Sequence, residues 1–167
     1  AQLSEDKGIE DALKAFALLS NSNNKLVLWI VGKAKTQSYQ AKIKNLVIKL
    51  RLENKIKFFG FVSEKMKFEL LSKSFVLVHP SSREGWGLNV IEANSFGIPA
   101  IGYNVTGLRD SIIHMKTGVL TEKNTPVDLA KALSLVIDDE KLYQQLSKNA
   151  KEWSKNFSWD KAGEMSW

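Results

Sequence analysis

The sequence predicts an α/β fold in which a doubly wound parallel sheet carries helices on both faces, and three observations support that reading. Short apolar runs of strand type alternate along the chain with helical segments of roughly ten residues or more, the pattern of βαβ units. The runs are continuously apolar, as in LVLWIV (Leu26 to Val31), which suits strands buried on both faces. The stretch from Phe75 to Gly107, FVLVHPSSREGWGLNVIEANSFGIPAIGYNVTG, joins a strand to a helix through a polar loop containing Gly85 and Gly87. In open parallel sheets, ligands bind outside the carboxyl ends of the strands, where such loops lie.

In chain order, Ile9, Leu13, Phe16 and Ala17 mark one face of a first helix, with no strand read ahead of it. It reads as the second half of a strand–loop–helix unit, so residues 1–167 are expected to be one domain excised from a longer chain, its first strand lying upstream. The polar turn Asn21 to Asn24 precedes the Leu26 to Val31 strand, which ends at Gly32. Tyr39, Ile43, Leu46, Val47 and Leu50 space an amphipathic helix. KIKFF (Lys55 to Phe59) reads as a strand stopped by Gly60, and Ser63 caps a helix to about Ser72 with Phe68, Leu70 and Leu71 as its apolar members. The central strand runs from Phe75 to Val78, and the helix after its loop begins near Leu88. Ile98 to Tyr103 and Gly118 to Leu120 complete the strands. Thr125 followed by Pro126 opens a helix with Leu129, Leu133, Val136 and Ile137 inward; a last helix carries Leu142, Leu146, Ala150 and Trp153.

Composition narrows the function. A chain of 167 residues that is 44% hydrophobic supports one core and is short for two. Without Cys there is no disulfide framework and no thiolate zinc site, and His79 and His114 stand too far apart to suggest a histidine metal site. The apolar runs are too short to cross a bilayer, and no signal-peptide pattern opens the sequence, so a cytoplasmic protein is expected. Only three of the 24 Lys and Arg residues are Arg, and the charge of +6 is dispersed, which argues against sequence-specific nucleic-acid binding. Dispersed lysine reads as a solvated surface, or as weak peripheral attraction to the anionic inner face of a membrane.

The chemistry concentrates at the start of the helix near Leu88. Its unpaired N–H groups and dipole favour an anion, and Gly85 and Gly87 remove side chains that would keep one away. Glu84 and Glu92 flank that anion site, so the ligand is expected to present hydroxyl donors beside its phosphates. A nucleotide sugar fits. Blander readings stand beside this one: Glu84 as a carboxylate complementing the helix dipole, Glu92 as a carboxylate that merely pairs with a nearby Lys, Lys7 as a solvated charge, and Trp86 as a hydrophobic anchor for its loop. His79 reads either as reaching the sugar or as a structural histidine, and Ser81 and Ser82 as turn or cap residues. The Thr106-Gly107 turn falls on the ligand edge by the strand count, and Trp29, Trp153 and Trp159 are assigned to packing.

At SREGWGLNVIEANSFGIPAI the sequence resembles the retaining glycosyltransferases of family 4, which have the GT-B fold. Glu84 and Glu92 have the spacing of that family's Glu-x7-Glu motif, and Gly85, Gly87, Leu88, Ala93, Gly97 and Pro99 fall on its pattern. Lys7-Gly8, WIVG (Trp29 to Gly32) and FFGFVS (Phe58 to Ser63) resemble further family segments, and the likeness extends to FSW at Phe157 to Trp159. The resemblance implies the Rossmann-like C-terminal half of a two-domain enzyme, whose partner is an N-terminal acceptor domain. It also implies that Glu84 bonds the donor sugar's hydroxyls, that Glu92 bonds the ribose, and that Lys7 neutralises the diphosphate without a metal or other cofactor. The backbone around Gly87, Leu88 and Asn89 would hold the distal phosphate, with Gly85 and Trp86 also among the donor-binding residues and Gly32 in the turn nearby; Gly60, Phe61 and Val62 would lie under the base. Two positions depart from the pattern: Gln2 stands where the family usually has Arg, and Ala34 where a second Gly is common. Gln2 keeps a non-catalytic binding or scaffold module of the same fold in contention. A sugar-nucleotide epimerase is the other enzymatic alternative, against which the Glu-x7-Glu stretch argues.

Overall fold

The computed structural model describes residues 2–157. The FSW stretch runs past them, and Trp159 lies outside the described residues. In order, the chain forms β1 (Gln2–Leu3), a 3-10 turn (Glu5–Lys7), α1 (Ile9–Ser20), β2 (Leu28–Val31), β3 (Lys33–Ala34), α2 (Gln37–Lys49), β4 (Ile56–Gly60) and α3 (Glu64–Ser72). It continues with β5 (Leu77–His79), α4 (Leu88–Ser95), β6 (Ala100–Gly102), α5 (Thr106–Ser111), β7 (Gly118–Leu120), α6 (Pro126–Ile137) and α7 (Glu140–Ser154), then a 3-10 turn (Lys155–Phe157). No helix among the described residues is long and apolar enough to cross a membrane.

Every strand pair is parallel, as the alternation of strands and helices requires. The ladders form three groups among the described residues: β1 with β3, β2 with β4, and β5–β6–β7 in that order. Residue alternation divides the last group between two helical layers. Ile101 and Val119 pack with α1 and α6 through Ala15, Leu19, Leu129 and Leu133, while Ala100 and Leu120 pack with α4 and α5 through Val90 and Leu108. A further core joins α1 and α2 over β2 through Leu13, Phe16, Tyr39, Ile43 and Ile30. Helices therefore cover both faces of the strands.

The helix starts follow from the caps that the sequence offers. Ser63 accepts from the Met66 N–H at 3.2 Å and Thr125 from the Asp128 N–H at 3.2 Å, with Pro126 where no donor is needed. Four readings are corrected. Two strand residues, Gln2–Leu3, precede α1 where none was expected. Gly60 is the last residue of β4 and not its stop. The central strand begins at Leu77 and not Phe75, because the Phe75 ring stacks on Tyr143 with centroids 3.8 Å apart, and the Tyr143 hydroxyl donates to the Phe75 carbonyl at 3.0 Å. The Thr106-Gly107 turn is the first turn of the short helix α5.

Candidate functional site

The site is assembled by the loop between β5 and α4 and by the turn that ends in Lys7. Ser82 donates its N–H to the Asp6 carbonyl at 2.9 Å, and the buried Ser81 hydroxyl lies 3.0 Å from the same oxygen. Two glycines permit this approach. A Cβ at Gly8 (φ 71°) would overlap the Pro80 carbonyl, and one at Gly107 would overlap the Glu84 carbonyl; both obstacles are backbone, which no rotamer relieves. The loop is thus held between the first turn of the chain and α5, and the held residue is Glu84.

Both oxygens of Glu84 are engaged. Its Oε2 lies 2.9 Å from His79 Nε2 and accepts from Lys7 Nζ at 3.3 Å, while Oε1 accepts from the Gly85 N–H at 3.2 Å. Burial pushes the carboxyl upward, but the hydrogen bonds from His79 and Lys7 and their charges outweigh it and hold the group below the ordinary carboxylate range. An ionised carboxylate only accepts, so His79 Nε2 carries the proton in this contact. Of the alternatives for His79, this is a histidine bonded to a candidate site residue at the end of β5.

Helix α4 starts beside this group with Gly87 (φ 74°) at its N-cap and no side-chain cap. The Leu88 and Asn89 N–H groups have no acceptor among the described residues, whereas the Val90 N–H is already bonded to the Gly87 carbonyl at 2.9 Å. One turn on, Glu92 is 8% exposed. Its Oε1 accepts from Lys67 Nζ on α3 at 2.8 Å, and its Oε2 is buried with no partner. Glu84, Gly87, Leu88, Asn89 and Glu92 line one continuous cavity of about 580 Å³ together with Lys7 and His79.

The remaining candidates stand farther round. The Gly32 N–H donates to the Gly60 carbonyl at 2.8 Å, tying the ends of β2 and β4 together. Phe61 projects beyond them, 82% exposed, with Val62 half-buried. Phe61 lines a separate recess of about 460 Å³ with Gln2, Lys33, Ala34 and Lys35. Trp86 packs edge-on to Phe157, centroids 5.0 Å apart, and Phe157 packs in turn on Trp153. Trp86 is therefore the loop anchor that the sequence suggests.

The pairing of Glu92 with a nearby Lys, the blander of its two readings, is present, but the sequence does not identify Lys67 as that lysine, and its only signal is its place on α3 between a cap and an apolar run. Gly8 and Gly107, which the sequence singles out only within Lys7-Gly8 and the Thr106-Gly107 turn, act as backbone spacers that local sequence does not reveal. No group of three or more metal-ligating side chains occurs among the described residues.

Residues 1–153 match the family described as glycosyl transferases group 1. An uncharacterized glycosyltransferase of Methanocaldococcus jannaschii is 38% identical over 120 residues, covering 72% of this chain and 34% of its own length. Sucrose-phosphate synthase from Thermosynechococcus elongatus superposes with a TM-score of 0.86 at 28% identity, covering 97% of this chain and 42% of that one. HepE of Anabaena, solved in complex with UDP and glucose, superposes at 0.85 over 93% of this chain and 42% of that one; at 24% identity that likeness shows the fold. The chain spans about a third of the length of the archaeal relative. The architecture is the Rossmann-like half of a GT-B glycosyltransferase, and the chain belongs to the glycosyl transferases group 1 family.

Proposed function

We propose that this domain binds the nucleotide diphosphate sugar of a retaining hexosyltransferase of family 4 acting in glycan or glycolipid biosynthesis. The observation that carries the reading is the buried, unpartnered Oε2 of Glu92, one turn into a helix whose first N–H groups are open. A buried carboxylate oxygen without a donor is costly, and a vicinal diol from a ribose supplies donors. The Leu88 and Asn89 N–H groups and the helix dipole receive the distal phosphate. Glu84, fixed by His79 and Lys7, faces the sugar hydroxyls, and Phe61 and Val62 meet the base.

In the transfer, the bond between the anomeric carbon and the phosphate oxygen breaks, and the nucleoside diphosphate leaves with the electron pair. The acceptor oxygen bonds to the same face of that carbon and yields its proton to the departing phosphate. Lys7 and the end of α4 offset the charge that develops, so a divalent ion is not required. The acceptor arrives from an N-terminal domain of the same enzyme, and the 167 residues alone bind donor without transferring sugar. Gln2 favours a second reading, a donor-binding module without turnover, since it lines the same cavity as Lys7, Glu84 and Glu92 yet brings no charge to the diphosphate there.

Calorimetric titration with UDP, GDP and ADP tests the reading, UDP first because HepE was solved with it. Binding of one nucleotide, weakened by Glu92→Ala, is the expected result. Failure of all three at millimolar concentration, in this chain and in one joined to its partner domain, overturns it.

A further inference from the structure

The cavity lined by Glu84 and Glu92 holds little uncompensated positive charge where the phosphates are placed. Lys7 is bonded to Glu84 at 3.3 Å and Lys67 to Glu92 at 2.8 Å, so each of these lysines already faces a carboxylate. Lys73 is bonded to Glu69 at 2.8 Å, and Lys25 precedes β2, at the other end of that strand from Gly32. A nucleoside diphosphate brings several negative charges, of which the open start of α4 answers a part.

Unpaired cations stand immediately beyond Gln2. Among the described residues, Gln2 alone lines both this cavity and the recess of about 460 Å³ that holds Lys33, Lys35 and Phe61. Lys33 is its register partner in the β1–β3 ladder, and the Lys35 N–H extends that ladder to the Leu3 carbonyl at 2.9 Å. Side chains alternate along both strands. Leu3 and Ala34 pack into the core that α1 and α2 share, so Gln2, Lys33 and Lys35 lie on the opposite face. Neither lysine pairs with a carboxylate among the described residues, and no carboxylate lines the recess. The acid that senses them is the exposed Asp6. The Ser4 hydroxyl, and after it the charges of Lys7 and Lys35, hold its carboxyl below the ordinary value against desolvation. Lys35 is therefore within electrostatic reach of the turn that carries Lys7.

We propose that Lys33 and Lys35 bind the donor's proximal phosphate, supplying from the neighbouring strand the charge that Gln2 lacks; the inference rests on the donor reading above. In that reading the distal phosphate sits at the Leu88 and Asn89 N–H groups and the base at Phe61. A ligand that spans the two crosses from one cavity to the other beside Gln2, and the proximal phosphate is the anionic part between them. Each lysine is a compact charge on a flexible stem, free to turn toward a phosphate oxygen because no carboxylate already holds it.

Calorimetric titration with UDP, or with GDP or ADP if that is the nucleotide bound, tests this on the original chain and on two double variants. Lys33→Met with Lys35→Met removes both charges and keeps the bulk, while Lys33→Arg with Lys35→Arg keeps the charges. Each is titrated at about 0.05 M and about 0.3 M salt, since screening separates charge from shape. The Met pair is expected to weaken binding by roughly fivefold or more at the lower salt and to flatten its salt dependence, and the Arg pair to preserve both. Unchanged affinity in the Met pair, beside an original chain that binds, overturns this inference and leaves the donor reading standing. A loss equal at the two salt concentrations also overturns it, because the lysines would then act by shape. An original chain that binds no nucleotide, alone or joined to its partner domain, overturns both.

Discussion

Two carboxylates stand on either side of one helix start, and the protein treats them differently. Glu84 is held from three directions, by His79, Lys7 and its neighbour's N–H, and no oxygen is left without a donor. Glu92 is more deeply buried, yet it has one donor for two oxygens. The difference separates two jobs that residue type does not distinguish. A fully bonded carboxylate is oriented by its own chain and presents a fixed charge, while a half-bonded buried one keeps an acceptor that a ligand's hydroxyl can satisfy.

The largest expected effect falls on that open acceptor. Hydrogen bonds to a charged partner are worth about 1.5–3 kcal/mol, so Glu92→Ala is expected to weaken nucleotide binding by roughly ten- to a hundredfold. Calorimetry at fixed salt checks this. An unchanged affinity breaks the comparison, because Glu92 would then be a buried ion pair with Lys67 and nothing more.

Next in size is the device that holds Glu84. Gly107→Ala drives a Cβ into the Glu84 carbonyl, and the loop must move away from α5. A melting-temperature loss corresponding to about 1–3 kcal/mol is expected, together with weaker donor binding. Gly85→Ala, in the same loop but with open space around the new Cβ, is expected to cost far less, and equal losses would mean that the overlap at Gly107 is easily relieved.

How much of this was legible in the sequence depends on how far apart the cooperating residues lie. The Glu84, Gly87 and Glu92 spacing is local, and one strand–loop–helix unit displays it. Ser63, Thr125 and Pro126 announced their helices for the same reason. Lys67 was invisible: α3 and α4 meet only in the folded state, and nothing local distinguishes this lysine from its many neighbours of the same type. The shift of β5 away from Phe75 depends on Tyr143, 68 residues later. Two-residue strands such as β1 and β3, and a helix as short as α5, carry too few residues to show a period at all.

Removing the lysine partner instead of the carboxylate sharpens the contrast. Lys67→Met leaves both Glu92 oxygens without a protein donor while keeping the side chain's bulk. Oε2 can still accept from a ribose hydroxyl, so the affinity loss is expected to be smaller than for Glu92→Ala. Calorimetric titrations of the two variants side by side separate these effects; a loss as large as that of Glu92→Ala would mean that Lys67, and not Glu92, meets the ligand.

The smallest effect is on acid stability, and it tests the other carboxylate. The Glu84 carboxyl is held below its ordinary value of 4.5, so folding gains from its ionised form above that pH, and the gain disappears as pH falls through the lowered folded-state value. Glu84→Gln keeps the shape but has no charge to lose. Denaturant midpoints for the two proteins are therefore expected to differ most near neutrality and to converge in acid, with the substituted protein the less stable at about pH 7. Other carboxylates titrate equally in both proteins and cancel in the difference. A gap that stayed constant from about pH 7 down to about pH 3 would mean that the charge of Glu84 is not what His79 and Lys7 hold, and the two carboxylates would then differ in position alone.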